Sequence, residues 1–268
     1  MKDWIRGKLR ARRAKRRLNS KPVMTKHGFK FSGPDVMTSG DFEPTETEVL
    51  KKLLVDCDQF VNVGANFGYY ICLAQSMNVR AEAVEPVPLN LELLKRNLRS
   101  NGYDENVTVH ACACGEKTGE MEIFGVGTGA SLVKGWARNP KSLRNVVQIR
   151  RLDEIISPES VSDRTLFLVD VEGFELQVMK GAEALLSAPN QPIWMLESGL
   201  SDHREHGQLN SAFLEVFDFV VDRGYRVCSV SNPEITIQRE QNTQSLNEGK
   251  DLIGELNFLL IPKGRSLN

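Results

Sequence analysis

The sequence predicts a doubly wound α/β fold built on a mostly parallel sheet. Three observations carry this reading. Strand-like apolar runs alternate with helix-like segments from about residue 45 onward, a glycine-bearing loop follows the first such strand, and acidic residues close two others. The chain has 268 residues, enough for one large core. Its hydrophobic share of 41% and charged share of 26% are those of an ordinary globular protein and exclude disordered and fibrous classes. No apolar run reaches bilayer-spanning length. The positive N-terminus has no apolar stretch after it, so a secretory signal is not expected.

The elements follow in order. Residues 46–54 read as a helix, with Val49, Leu50, Leu53 and Leu54 on one side. Residues 59–63 form a short apolar strand, and a Gly-bearing loop leads into an apolar helix ending near Met77. A second strand spans 81–85. Pro88 then suits a first helical position, with Leu91, Leu94 and Leu98 at helical spacing and Asn101-Gly102 as the stop. Strands are expected at 107–112, 120–124 and 146–150, with a Gly-rich GVGTGAS segment after the second of these and a short helix from Leu152. A buried strand at 166–171 turns sharply at Gly173 into one helix carrying Leu176, Met179, Ala182 and Leu186. A strand at 193–197 and a helix at 213–223 follow. The last two strands, 226–230 and 256–261, are separated by a stretch too short and too polar for a buried crossover helix, so they are expected to pair antiparallel.

Charge divides the chain. Residues 1–21 hold ten Lys/Arg and one acid, Asp3, a charge of +9, which leaves −10 on the remainder. The expected organisation is a basic arm and lead-in over 1–35 and a single domain over 36–268. The arm suits an anionic membrane surface, where each basic residue contributes up to roughly 1 kcal/mol, or a partner protein; nucleic acid is the less favoured partner. Trp4, Ile5, Leu9 and Leu18 form no continuous apolar face. The five cysteines sit among apolar residues or share a strand face and read as reduced thiols. The expected location is therefore cytoplasmic, with the arm able to hold the protein at the inner membrane face.

Three segments carry chemistry. In QFVNVGANFGYY a buried strand feeds Gly64, Asn66 and Gly68, and a helix begins at once. Gly64 permits the tight turn, and Gly68 is expected to let a ligand approach the helix N-terminus, whose free N–H groups favour a carboxylate. By itself this loop serves NAD as well as S-adenosylmethionine, although it lacks the G-x-G-x-x-G spacing that a pyrophosphate requires. Glu85 closes the next strand, where a carboxylate can accept both hydroxyls of a ribose. In LVDVEGFE, Asp170 ends an apolar strand at the edge where open α/β sheets bind ligands, and Gly173 lets Asp170 and Glu172 face a cleft.

VNVGANFGYY, AVEP, RLDE at residues 151–154, LVDVEGFELQVMKGA, WMLES and the closing NFLLIPKG together resemble the FkbM-type methyltransferase family, in order over roughly residues 36–262. DFEPTE at 41–46 resembles the element before that family's first strand. The resemblance implies a Rossmann-like, seven-stranded methyltransferase sheet, mostly parallel with an antiparallel C-terminal strand. It also implies S-adenosylmethionine as donor and O-methylation, often of sugar hydroxyls. Carried over, its cofactor loop falls on Asn62, Gly64, Ala65, Asn66, Gly68 and Tyr69, its ribose acid on Glu85 beside Pro86, its adenine-side turn on Ala113 to Gly115, and its site acids on Asp170 and Glu172. Two positions depart from the pattern: Asn62 stands where the family has Asp, and Leu168 where it has Lys. The methionine ammonium is therefore expected to rest on loop carbonyls and Asn62.

Asp170 is the expected proton acceptor. No resident metal is expected, the alternative being Mg²⁺ on Asp170, Glu172 and Glu197. His203 and His206 read as surface residues with a base role as the alternative, His110 as structural, and Ser131 as a candidate acceptor contact. Two competing functions remain: an NAD(P)-dependent oxidoreductase on a similar sheet, and an inactive methyltransferase-like binding protein.

Overall fold

A central sheet covered by helices on both faces organises the computed structural model, which describes residues 2–201, 209–210 and 212–267. The chain opens with α1 (Lys2–Asn19), a hairpin of β1 (Val23–Met24) and β2 (Lys30–Phe31), α2 (Asp35–Ser39) and α3 (Pro44–Val55). Then come β3 (Gln59–Val63), α4 (Tyr69–Ser76), β4 (Arg80–Val84), α5 (Pro88–Asn101), β5 (Val107–His110), β6 (Ala113–Cys114), β7 (Gly119–Phe124) and β8 (Arg144–Arg150). The remainder is α6 (Leu152–Ile155), β9 (Thr165–Val169), α7 (Glu175–Lys180), α8 (Glu183–Leu186), β10 (Ile193–Glu197), α9 (Ala212–Val221), β11 (Tyr225–Ser229), α10 (Arg239–Glu248) and β12 (Asn257–Pro262).

The seven-stranded sheet runs β11-β12-β10-β9-β3-β4-β5. Pairs β10–β9, β9–β3, β3–β4 and β4–β5 are parallel, and β12 lies antiparallel between β10 and β11. The fold class expected from the sequence is the one observed. Alternation along β3 shows why both faces need cover: Phe60 enters one core with Leu50, Ile71 and Leu94, while Val61 and Val63 enter the other with Val178, Leu186 and Val216. Phe167 and Trp194 stack across β9 and β10 at 4.1 Å. A smaller sheet, β6-β8-β7, stands beside the main one.

Because β3, β4 and β5 build one side of the sheet while β9 and β10 build the other, the chain reverses direction between β3 and β9. The carboxyl ends of those strands therefore flank a crevice.

Three details differ from expectation. The single helix after Gly173 is two, broken at Gly181, where a β-carbon would lie 2.1 Å from the Gly115 carbonyl oxygen. The polar stretch before the last strand holds α10. A reciprocal cap between Gln238 and Gln241 starts it and a left-handed Gly249 ends it, so it forms with little apolar content. It docks beside α9 through an Arg239–Asp218 pair at 2.7 Å. Finally, the core extends ahead of residue 36: Phe29 and Phe31 are fully buried and pack edge-to-face on Tyr69. Among the described residues, no helix is long and apolar enough to cross a membrane.

Candidate active site

The loop after β3 is fixed by backbone bonds to both neighbouring strands. Gly64 and Ala65 donate N–H to the Val84 carbonyl at 2.9 and 3.0 Å, and Asp170 N–H reaches Val63 O at 3.0 Å. Gly64 holds φ +87°, and a β-carbon there would meet Asp170 O at 1.7 Å. Only glycine admits this crossing of the two chains. Asn66 follows in the left-handed region at φ +51° and donates its N–H to Glu85 Oε2 at 2.8 Å.

Glu85 is buried, and burial pushes its carboxyl up to about 7 against the pull of its donors. Oε1 accepts from Val87 N–H at 2.7 Å and Asn90 Nδ2 at 3.2 Å, while among the described residues Oε2 takes only the Asn66 bond. The carboxylate therefore ties the loop after β3 to the start of α5. Its remaining accepting capacity lies on Oε2.

Four further acids share the crevice with Glu85. Asp170 follows β9, Glu197 ends β10, Glu172 occupies the next turn and Glu43 precedes α3; all line one cavity of about 820 Å³. Among the described residues, Asp170 Oδ1 is buried and has no hydrogen-bond partner. Desolvation raises the Asp170 carboxyl well above the usual range, reinforced by Glu197, Glu172 and Glu43 and by a hydrogen bond with Glu197. Glu43, at φ +41°, accepts from Tyr70 Oη at 2.5 Å, and burial pushes it up to about 7.

A second wall comes from the segment between β7 and β8. Trp136 Nε1 donates to Glu172 Oε2 at 2.6 Å, and Ser131 Oγ donates to the Glu172 carbonyl at 2.6 Å. These bonds brace Glu172 at φ +56°, and the indole covers Gly173 so closely that a β-carbon there would stand 2.5 Å from the ring. Gly127 N–H donates to Asn90 Oδ1 at 2.9 Å, joining the same segment to the Glu85 network. At the mouth, Arg13 and Arg17 of α1 complete the lining.

Asn62, Gly64, Ala65, Asn66, Tyr69, Glu85, Pro86, Ala113, Asp170 and Glu172 all line this cavity, as does Glu197. Gly68 does not; its α-carbon faces Leu94, where a β-carbon would lie 3.1 Å from Cγ, so it serves packing of α4 on α5. Asn62 is buried and reaches the Leu168 carbonyl at 3.5 Å, across the strand pair where both departures from the family pattern sit side by side. Ser131 is buried and engaged with Glu172. His110 pairs with Glu82 at 2.9 Å. His203 and His206 lie outside the described residues. Among the described residues no group of three His, Cys, Asp or Glu has metal-holding geometry. Sequence reading did not single out Glu43, Trp136, Arg13 or Arg17; the DFEPTE motif was the one signal pointing at Glu43.

Such a crevice, floored by carboxyls and closed by a glycine loop, suits a ligand with a positive centre and several hydroxyls. Residues 62–227 match the Methyltransferase FkbM domain. No curated protein matches the chain. Among solved structures, a methyltransferase FkbM from Methylobacillus flagellatus KT is similar at 19% identity and TM-score 0.46, over 76% of this chain and 43% of that one. This chain thus spans less than half the length of that relative. An Aeropyrum pernix fibrillarin with natively bound S-adenosyl-L-methionine is 10% identical with TM-score 0.38, covering 76% and 65%. A geranyl diphosphate C-methyltransferase from Streptomyces coelicolor A3(2), with Mg²⁺, geranyl-S-thiolodiphosphate and S-adenosyl-L-homocysteine, is 11% identical with TM-score 0.42, covering 85% and 81%. With more than half of its length matching the domain, the chain belongs to the FkbM methyltransferase family.

Proposed function

We propose that the protein is an S-adenosylmethionine-dependent O-methyltransferase acting on a hydroxyl of a sugar, glycan or related metabolite. The observation that carries this is the buried, unpartnered Oδ1 of Asp170, a residue that lines the same cavity as the glycine loop and Glu85. A second buried and unpartnered oxygen, Asn66 Oδ1, lies in that loop. Two orphaned oxygens in a cavity lined by five carboxyls fit a ligand that brings donors and positive charge.

Asn62, Gly64, Ala65 and Asn66 would hold the amino-acid end, and Glu85, Pro86 and Ala113 the nucleoside end. The cofactor supplies an electrophilic methyl group on a sulfonium. The rest falls to this chain. The Asp170 carboxylate takes the hydroxyl proton as the acceptor oxygen attacks. Glu197, hydrogen-bonded to the same carboxyl, fixes its orientation. Burial and the neighbouring acids raise the Asp170 pKa, and a positive ligand lowers it, favouring the basic form. Trp136 and Ser131 hold the turn behind it and, with the Gly-rich segment, exclude water. Alignment contributes about 7–11 kcal/mol in well-oriented reactions, against roughly 10²–10⁴-fold from a base, so positioning carries the larger share.

The five cysteines are buried and free, in keeping with a cytoplasmic location. The test is calorimetric titration with S-adenosylmethionine and its demethylated product, followed by labelled-methyl transfer to a panel of glycans. Micromolar binding and label on oxygen are expected. No binding at millimolar cofactor overturns the proposal, and label on nitrogen or carbon overturns the oxygen assignment.

A further inference from the structure

We propose that Arg13 and Arg17 form an oxyanion subsite at the mouth of the cleft, so that the methyl acceptor carries a carboxylate or phosphate beside the hydroxyl that is methylated. This rests on the methyltransferase reading above and adds a charge class to its acceptor.

Spacing and docking place the pair. Residues 13 and 17 are four apart on α1 and share one helix face, and both line the cavity. The arm is held there by its backbone. The Arg96 guanidinium of α5 donates to the Arg17 carbonyl at 3.0 Å and to those of Leu18 and Ser20, at and just past the end of α1. Leu18 packs against the core. The Arg17 guanidinium carbon stands 5.9 Å from the ring centroid of Phe67, within the cofactor loop.

Charge argues for the ligand. Among the described residues neither guanidinium has an ion-pair partner. Burial lowers the Arg17 pKa, Arg13 adds like-charge repulsion, and only Asp35 opposes them. Two such cations at one rim suit an oxyanion, which takes charge-assisted and often bidentate bonds from guanidinium. The cofactor's own carboxylate would find donors elsewhere, at the start of α4, which no side chain caps. A cleft acidic at its floor and basic at its rim is thus matched by a hydroxyl placed at Asp170 and an anion placed outward.

The experiment uses the full chain saturated with S-adenosylhomocysteine, titrated with glucose, glucose 6-phosphate and glucuronate, in wild type, Arg13→Gln/Arg17→Gln and Arg13→Lys/Arg17→Lys. We expect one anionic probe to bind at least about ten-fold tighter than glucose, the Gln pair to erase that advantage and the Lys pair to restore part of it. The tighter probe tells phosphate from carboxylate. S-adenosylhomocysteine affinity and thermal unfolding stay unchanged in the variants. Equal binding of all three probes overturns the proposal, as does an anionic advantage that survives in the Gln pair. A fall in S-adenosylhomocysteine affinity in the variants also overturns it, assigning the arginines to the cofactor. Loss of binding to phosphatidylglycerol vesicles with probe affinities unchanged overturns it in favour of a lipid surface. Wild type that ignores S-adenosylhomocysteine fails earlier, at the methyltransferase reading itself.

Discussion

The carbonyl oxygen of Asp170 occupies the space where Gly64 would carry a side chain, 1.7 Å from the β-carbon position. The loop after β3 and the turn after β9 are therefore one assembly. Gly64→Ala forces them apart and also strains φ +87°, for a loss of about 3 kcal/mol or more. Denaturant unfolding and S-adenosylhomocysteine titration should both register it. Gly68→Ala, against a movable Leu94, should lose roughly 1–2 kcal/mol and keep the cofactor site. Equal effects at the two glycines would disprove the distinction.

Trp136→Phe keeps a ring over Gly173 but removes the donor to Glu172. Turnover should fall about ten-fold with little change in unfolding temperature, because the turn loses a charge-assisted hydrogen bond rather than packing. Steady-state kinetics on a competent acceptor checks this; unchanged kcat would show that the indole only fills space.

Asp170→Asn retains shape but accepts no proton. A loss of roughly 10²–10⁴-fold in kcat is expected, with S-adenosylhomocysteine binding preserved. Near-normal turnover would remove Asp170 from the base role. Proton counting gives a second readout: cofactor binding should release protons as positive charge enters the acid cluster, and the uncharged thioether product should release fewer. Calorimetry in buffers of different ionisation enthalpy measures the difference.

Glu85 and Glu43 rise from 4.5 to about 7, both chiefly by burial. An acid that holds its proton more tightly when folded contributes full stability below about pH 4.5 and loses it as pH rises to about 7. For Glu85 this amounts to at most about 3 kcal/mol. Ligand-free protein should therefore unfold at lower urea at pH 8 than at pH 5, and Glu43→Gln should flatten part of that slope. A rise in midpoint between those pH values would contradict the assignment.

How much of this was legible in sequence depends on reach along the chain. The VNVGANFG loop, Glu85 and Asp170 were readable because each announces a strand end within a few residues, and parallel topology brings strand ends together. Glu43, Trp136 and Arg17 were not, since their roles arise from contacts with Tyr70, Glu172 and Phe67, which lie 27, 36 and 50 positions away. The break at Gly181 depends on a carbonyl at Gly115, and no periodicity within the helix records it. α10 escaped because caps at Gln238 and Gly249, rather than an apolar face, define it.

The Asn97 side chain is wholly enclosed, and three backbone groups depend on it. Its Oδ1 accepts from Ser32 N–H at 2.8 Å, and its Nδ2 donates to the carbonyls of Ser32 at 3.1 Å and Phe67 at 2.9 Å. One amide thus rivets the lead-in hairpin to the loop after β3. A shortened chain starting at residue 36 would leave that amide half-bonded in the interior and expose the seats of two phenylalanines, so the segment ahead of the first central strand is part of the scaffold on which the loop is aimed.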